Sequence, residues 1–356
     1  MFNKALWIRN YKQAKFVIWG LWVACLYFTY KFFSHLKNQE YTIAHWDEWE
    51  VDGKYEYYFA NITEVGIFQV LLVILLASIL IGLERTNQSM DFTLSLPYKR
   101  TEIFLSKWAI GIVHILAALS VSVVFSIIIL INSPIEEYFP ISGLGFYYVV
   151  TVFVLVGVYT FSLFVGFIGA SLFSQFVFSI VFLVFPYGFY NLLFDAISYH
   201  AHSLTGTPIY QGMFGLQSVA KFFENLTFPI LLLDIEGIIN EIFVWRQTSA
   251  LDILLLLIVP ITITAISLYL IHLLSNRLKS ENNGKILAYE ALLPYLKVGV
   301  IVCFYLLGGG MIGNSTNRFD EVPGLLEFHL GGIGFSAVAY FILSKVAGMR
   351  LQFGKK

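Results

Sequence analysis

Long apolar runs alternate with short charged segments along the whole chain. Val65 to Leu83 and Trp108 to Ile135 contain no Asp, Glu, Lys or Arg, and neither does Tyr138 to Phe194. Each run is long enough to cross a ~30 Å hydrocarbon core at ~1.5 Å per residue, and the last is too long for one crossing. Splitting it at the polar stretch Ser171–Gln175 predicts eight spans. They fall at about Phe16–Phe33, Val65–Leu83, Trp108–Asn132, Gly145–Ala170, Phe176–Phe194, Ile253–Ser275, Val298–Ile312 and Phe328–Ser344. The expected fold is therefore all-α: one polytopic membrane helix bundle over residues 1–356, with about eight transmembrane helices.

The segments between spans differ in character. In residues 1–15, Trp7, Tyr11 and Ala14 share a helical face that excludes Lys12 and Lys15, the pattern of an amphipathic helix lying in the membrane interface. No small-x-small site follows the first apolar run, so it reads as a retained span rather than a cleaved leader. Residues 34–62 and 195–250 are long, polar and aromatic, and form the expected extracellular segments. Within the second, Leu231, Ile235, Ile238, Ile242 and Trp245 line one side of a helix and Asp234, Gly237 and Glu241 the other. Those charges argue against a further span and for a helix folded on the outer surface of the bundle.

Charge placement sets the orientation. With the N-terminus inside, sixteen of the 22 Lys and Arg residues fall on the cytoplasmic side, in residues 1–15, 84–107, 276–297 and after Ser344. The outer segments carry acidic stretches such as Asp47-Glu48-Trp49-Glu50. Both termini are therefore expected in the cytoplasm.

Composition agrees with a membrane protein: 58% hydrophobic, 13% charged, against about 25% charged in soluble domains. No basic patch suits a nucleic acid, and none is expected as a partner. Cys25 and Cys303 lie inside apolar runs and read as packing residues. There is no G-x-x-x-x-G-K-[ST] and no H-E-x-x-H, so no nucleotide or zinc site of those kinds, and no catalytic, cofactor or metal residues are assigned. His200 and His202 form at most half of a metal site, with no third ligand suggested nearby. His114 and His272, in or near spans, suit either a pathway or ordinary packing. Gly308-Gly309-Gly310 permits close helix approach, and Pro186 and Pro260 can kink their spans.

One loop points past membrane residence to a task. Between the second and third spans runs Glu84-Arg85, then Asp91, then Phe92-Thr93-Leu94-Ser95-Leu96, stopped by Pro97 and followed by Lys99-Arg100 and Lys107. A short helix over Asp91–Leu96, apolar on one side and flanked by charges, is a shape that a soluble partner can grip.

This loop resembles the first cytoplasmic loop of ABC-2 type transporter permeases. Glu84-Arg85 matches the acidic-basic pair that ends the second span in that family. Asp91 matches its acidic residue, Leu94-Ser95-Leu96-Pro97-Tyr98-Lys99-Arg100 its Leu-Pro-Arg core, and Lys107 its final basic residue. Ser89-Met90 departs from the usual Gly-Thr turn. More loosely, Arg277, Ser280-Glu281, Gly284, Leu293-Pro294 and Lys297 resemble the inner loop of Gram-positive permeases from acetoin-utilisation or cell-wall-antibiotic-responsive operons.

The resemblance implies the permease subunit of an ABC exporter in a bacterial plasma membrane, not an enzyme. It implies two partners, a separate ATP-binding subunit that hydrolyses ATP and a second permease subunit in a homo- or heterodimer, and no cofactor bound by this chain. The implied coupling residues are Glu84, Arg85, Asp91, Phe92, Leu94, Leu96, Pro97, Lys99 and Arg100. The near-absence of charge in the spans favours hydrophobic or amphipathic cargo. An ATP-independent transporter or channel, and an immunity or sensor protein that transports nothing, are the alternatives; an ion-coupled carrier would place several charges inside its spans.

Overall fold

The computed structural model describes residues 4–45, 57–207, 209–210, 216–245, 250–276, 283–316 and 325–347. The chain forms α1 (Lys4–Ala44), α2 (Thr63–Thr86), α3 (Met90–Leu94), α4 (Arg100–Ile131), α5 (Ile141–Val165), α6 (Leu172–Thr205), α7 (Leu216–Leu226), α8 (Ile235–Ile239), α9 (Ala250–Ser275), α10 (Leu293–Thr316) and α11 (Leu325–Ala347). Eight of these are long and apolar enough to cross a membrane. Among the described residues the extended pairing is a single bridge, Gly169 with Leu287. The contacts divide the chain into two compact units: residues 1–83, 92–167 and 228–278, and residues 84–91, 168–227 and 279–356.

In the first unit, α1 and α4 lie against each other. Leu6, Asn10, Ala14, Ile18, Leu21, Cys25, Phe28, Phe32 and Leu36 form one buried stripe at three- and four-residue spacing. The stripe runs unbroken through both the expected surface helix and the expected first span. At 41 residues, α1 is about 61 Å long, twice the thickness of a hydrocarbon core. The structure thus differs from the expectation of a separate helix over residues 1–15. Lys12 and Lys15 mark the exposed side of one continuous rod, not a separate element.

Polar side chains join α1 to α4 at intervals. Asn10 Nδ2 donates to Ser106 Oγ (3.0 Å), Trp22 Nε1 to His114 Nδ1 (3.5 Å), and Thr29 Oγ1 to Ser122 O (3.0 Å). His114 also stacks on Tyr11, 5.9 Å between ring centres, so its place is an aromatic pocket. Cys25 is buried and free, Cys303 half-buried and free. Next, α4 meets α5 where Trp108 Nε1 donates to Thr160 Oγ1 (3.0 Å) and Tyr159 Oη to Lys107 O (2.6 Å).

Residues 228–244, read from the sequence as one surface helix, are instead a 3-10 turn (Phe228–Leu232), α8 and a π turn (Asn240–Val244). They pack on the unit: Asn240 Oδ1 accepts from Phe59 N (2.8 Å) and Leu233 O from Thr63 Oγ1 (3.0 Å). Phe228, Leu231, Leu232, Ile235 and Ile239 are buried. Asp234 is exposed and Glu236 half-buried. Partial burial first, then neighbouring acidic charge (Glu241 for Asp234, Asp234 for Glu236), raises both carboxyls above their ordinary range.

In the second unit, Ser171 caps α6 reciprocally with Ser174, which is why the long uncharged run breaks there. α6 then continues to Thr205, so residues 195–205 are its last turns rather than loop. Pro186 sits inside α6, and the next residue, Tyr187, gives its N–H to Thr227 Oγ1 (3.0 Å). Thr227 is fully buried at a point ~22 Å along α6 from Leu172. With Tyr190 stacked on Phe223 (5.1 Å), this brings α7 alongside the middle of α6.

The pair α10 and α11 touches through glycines. A Cβ on Gly308 would lie 2.7 Å from Gly331 O, and one on Gly331 2.5 Å from Gly308 O. At their side Tyr199, Phe328 and Ala196 form a small buried cluster with Tyr305 and Leu306 against it.

Candidate functional site: the loop between α2 and α4

The loop opens with a stop signal. Ser89 N donates to Glu84 O (2.8 Å) and Gln88 N to Arg85 O (3.2 Å), the two bonds of a Schellman motif. Gln88 supplies the left-handed residue that this motif needs, at φ 56°. Glycine is usual there because it has no Cβ to strain, so the turn forms here without the expected Gly-Thr.

The residues assigned to the site divide into two groups. In residues 84–91, Glu84 and Arg85 are buried, Arg85 completely, with the Tyr289 hydroxyl as its charge neighbour. Thr86 Oγ1 accepts from Leu172 N (2.8 Å), the first amide of α6. The acidic-basic pair therefore faces inward, while Asp91 is exposed.

In residues 92–107 the order inverts. Phe92 is 66% exposed, whereas Thr93 beside it is fully buried and accepts a hydrogen bond from the Arg9 guanidinium of α1. Leu94 and Leu96 are half-buried, and Pro97 and Lys99 are exposed. Arg100, half-buried, donates to Asn276 O (3.4 Å) at the end of α9. Lys107 is buried and donates to Leu80 O. The helix itself is shorter than the expected Asp91–Leu96: α3 covers Met90–Leu94, and Tyr98 N to Leu96 O (2.7 Å) turns the chain toward α4. α3 is thus held at Thr93 and offers Phe92 outward. The tether from Arg9 had no signal in the sequence, since a threonine between two apolar residues says nothing of a partner 84 positions away.

Of the second inner-loop stretch, Arg277, Ser280 and Glu281 lie outside the described residues. Gly284 takes φ 84° and gives its N–H to Ala170 O (2.7 Å), while Leu293-Pro294 opens α10, the position where a missing N–H costs nothing. Among the described residues no group of three or more His, Cys, Asp or Glu is placed to hold a metal.

Residues 55–222, which include the whole loop, match the family model described as ABC-2 family transporter protein. The chain is also 26% identical over 276 residues to the probable ABC transporter permease YtrC of Bacillus subtilis (strain 168), covering 76% of this chain and 77% of that one. Both findings support an ABC-2 type permease. No solved structure matches the chain. The chain, with eight helices long and apolar enough to cross a membrane, is a multi-pass membrane protein similar to ABC transporter permeases.

Proposed function

We propose that the permease is the membrane half of an exporter of hydrophobic or amphipathic cargo, and that α3 is the part its ATPase grips. The observation that carries this reading is Phe92, two-thirds exposed on a five-residue helix whose next residue is tied down. An aromatic presented on an anchored turn loses little entropy on docking, and such side chains dominate interface energies. Leu94 and Leu96 widen the apolar face; Asp91, Lys99 and Arg100 set register around it, and Pro97 ends it. Glu84 and Arg85 are buried, and their backbone carbonyls close the turn that ends α2. A second permease subunit completes the transporter. The cargo class follows from the spans, whose buried charged side chains among the described residues, Glu84, Arg85 and Lys107, all belong to this loop.

Phe92→Ala with Leu96→Ala should leave the permease inserted and its melting unchanged. Co-purification with the ATPase should weaken by roughly thirtyfold, the ~2 kcal/mol of a truncated anchor, and ATP hydrolysis should uncouple from transport. Wild-type assembly and transport in this double variant would remove α3 from the coupling role.

The reading also requires the loop in the cytoplasm. Reporter fusions after Lys99 and Asn283 should behave as inside, and those after Asn61, Glu136 and Thr207 as outside. Inside-type activity at Thr207 would reverse the layout.

A further inference from the structure

We propose that His200 and His329 together hold one divalent transition-metal ion of the zinc class, clamping the end of α6 to the start of α11. The two rings lie 5.4 Å apart, centre to centre, at 63°. Two imidazoles bound through Nε2 to one tetrahedral ion, with Zn–N ~2.0–2.1 Å, have ring centres about 5.2 Å apart, close to the separation of this pair.

Each ring has its other nitrogen engaged. His200 Nδ1 donates to Ala196 O (2.7 Å), and His329 Nδ1 pairs with the Tyr305 hydroxyl of α10 (2.5 Å). Such contacts fix the rotation of a metal-bound histidine: His200 Nδ1–H donates to a carbonyl and leaves its Nε2 lone pair for the ion, and His329 does the same in the tautomer whose Nδ1–H donates to the Tyr305 hydroxyl. Phe328 meets His200 edge to face at 4.7 Å and gives the site an apolar wall. Both histidines are half-buried, shielded yet reachable. His200 stands about 42 Å along α6 from Leu172, past the ~30 Å of a hydrocarbon core, where aqueous ions have access. Imidazole donors suit zinc, copper and nickel rather than magnesium or calcium. Among the described residues no third His, Cys, Asp or Glu joins the pair, so water fills the remaining positions and the ion exchanges readily.

The sequence offered His200 with His202 as half a site; the structure supplies the other half from α11, 129 positions away, and leaves His202 out of it. The test uses the full chain purified through a tag without histidine. Zinc titration should show one saturable site per chain and a raised melting midpoint. His200→Gln and His329→Gln should each weaken binding at least tenfold, His202→Gln should leave it unchanged, and Tyr305→Phe should weaken it ~10-fold at the same stoichiometry. Copper(II) bound to the wild-type protein should show coupling to two imidazole nitrogens by electron paramagnetic resonance, a readout that needs no variant to fold. No saturable zinc binding, binding that survives either ligand substitution in a folded variant, or a copper spectrum without two imidazole nitrogens would overturn the site and leave the rings as aromatic packing.

Discussion

The pairs α1–α4 and α10–α11 solve the same problem in opposite ways. Lipid tails are as apolar as leucine, so burial alone does not drive one membrane helix onto another. The α1–α4 pair is joined by side-chain hydrogen bonds from Asn10, Trp22 and Thr29, spaced along a buried stripe. Among the described residues the α10–α11 pair has one such bond, Tyr305 with His329, rather than a ladder. Its backbones come together at Gly308 and Gly331, where each Cβ position would fall within 2.7 Å of the other glycine's carbonyl oxygen. The first contact is built from bonds that can be lost one at a time. The second rests on missing atoms, and adding one affects the whole crossing.

That difference ranks three substitutions. The largest effect is expected from Gly331→Ala: its Cβ would meet Gly308 O at 2.5 Å and Ile312 Cβ at 2.6 Å, neither a flexible side-chain end. Overpacking of this kind costs ~1–3 kcal/mol. A clear fall in the melting midpoint of the detergent-solubilised protein is the expected result; an unchanged midpoint would mean that the two helices do not cross so closely. Asn10→Ala comes next, at ~0.6–1.7 kcal/mol for one interhelical bond. A double-mutant cycle with Ser106→Ala should show that most of the loss is shared, and additive losses would detach Asn10 from α4. The smallest effect has the opposite sign. Gly310 follows Gly308 by two residues, yet nothing lies within 4 Å of its Cβ position. Gly310→Ala should therefore stabilise by ~0.4–1 kcal/mol through the unfolded chain. A loss there would extend the close contact one turn further than the structure draws it.

The eight spans were legible because a stretch of uncharged residues is the same signal whichever face it buries. The break at Ser171–Gln175 was legible as a polar stretch in an uncharged run, and the Ser171–Ser174 cap is its physical cause. Gly308-Gly309-Gly310 announced a close approach but not its partner, since Gly331 lies beyond the hairpin. Charge misled more than apolarity did. Arg85 reads as a solvated loop residue and is fully buried; Lys12 and Lys15 suggest a surface helix and lie on a continuous one. For the candidate site, the sequence singled out the apolar run around Phe92 but not the inversion between its neighbours. Which of Phe92 and Thr93 faces out depends on Arg9, which no local pattern connects to them. The mate of Thr227 had no local signal for the same reason: it is a backbone amide in α6.

That amide has a consequence in time. Tyr187 and Thr227 are 40 residues apart in the chain. At ~5–20 residues per second, the ribosome delivers the hydroxyl roughly 2–8 s after the N–H it is to satisfy. For those seconds α6 lacks the bond that ties its proline-bearing middle to the end of the segment beside it, so the order of synthesis sets when that tie can form.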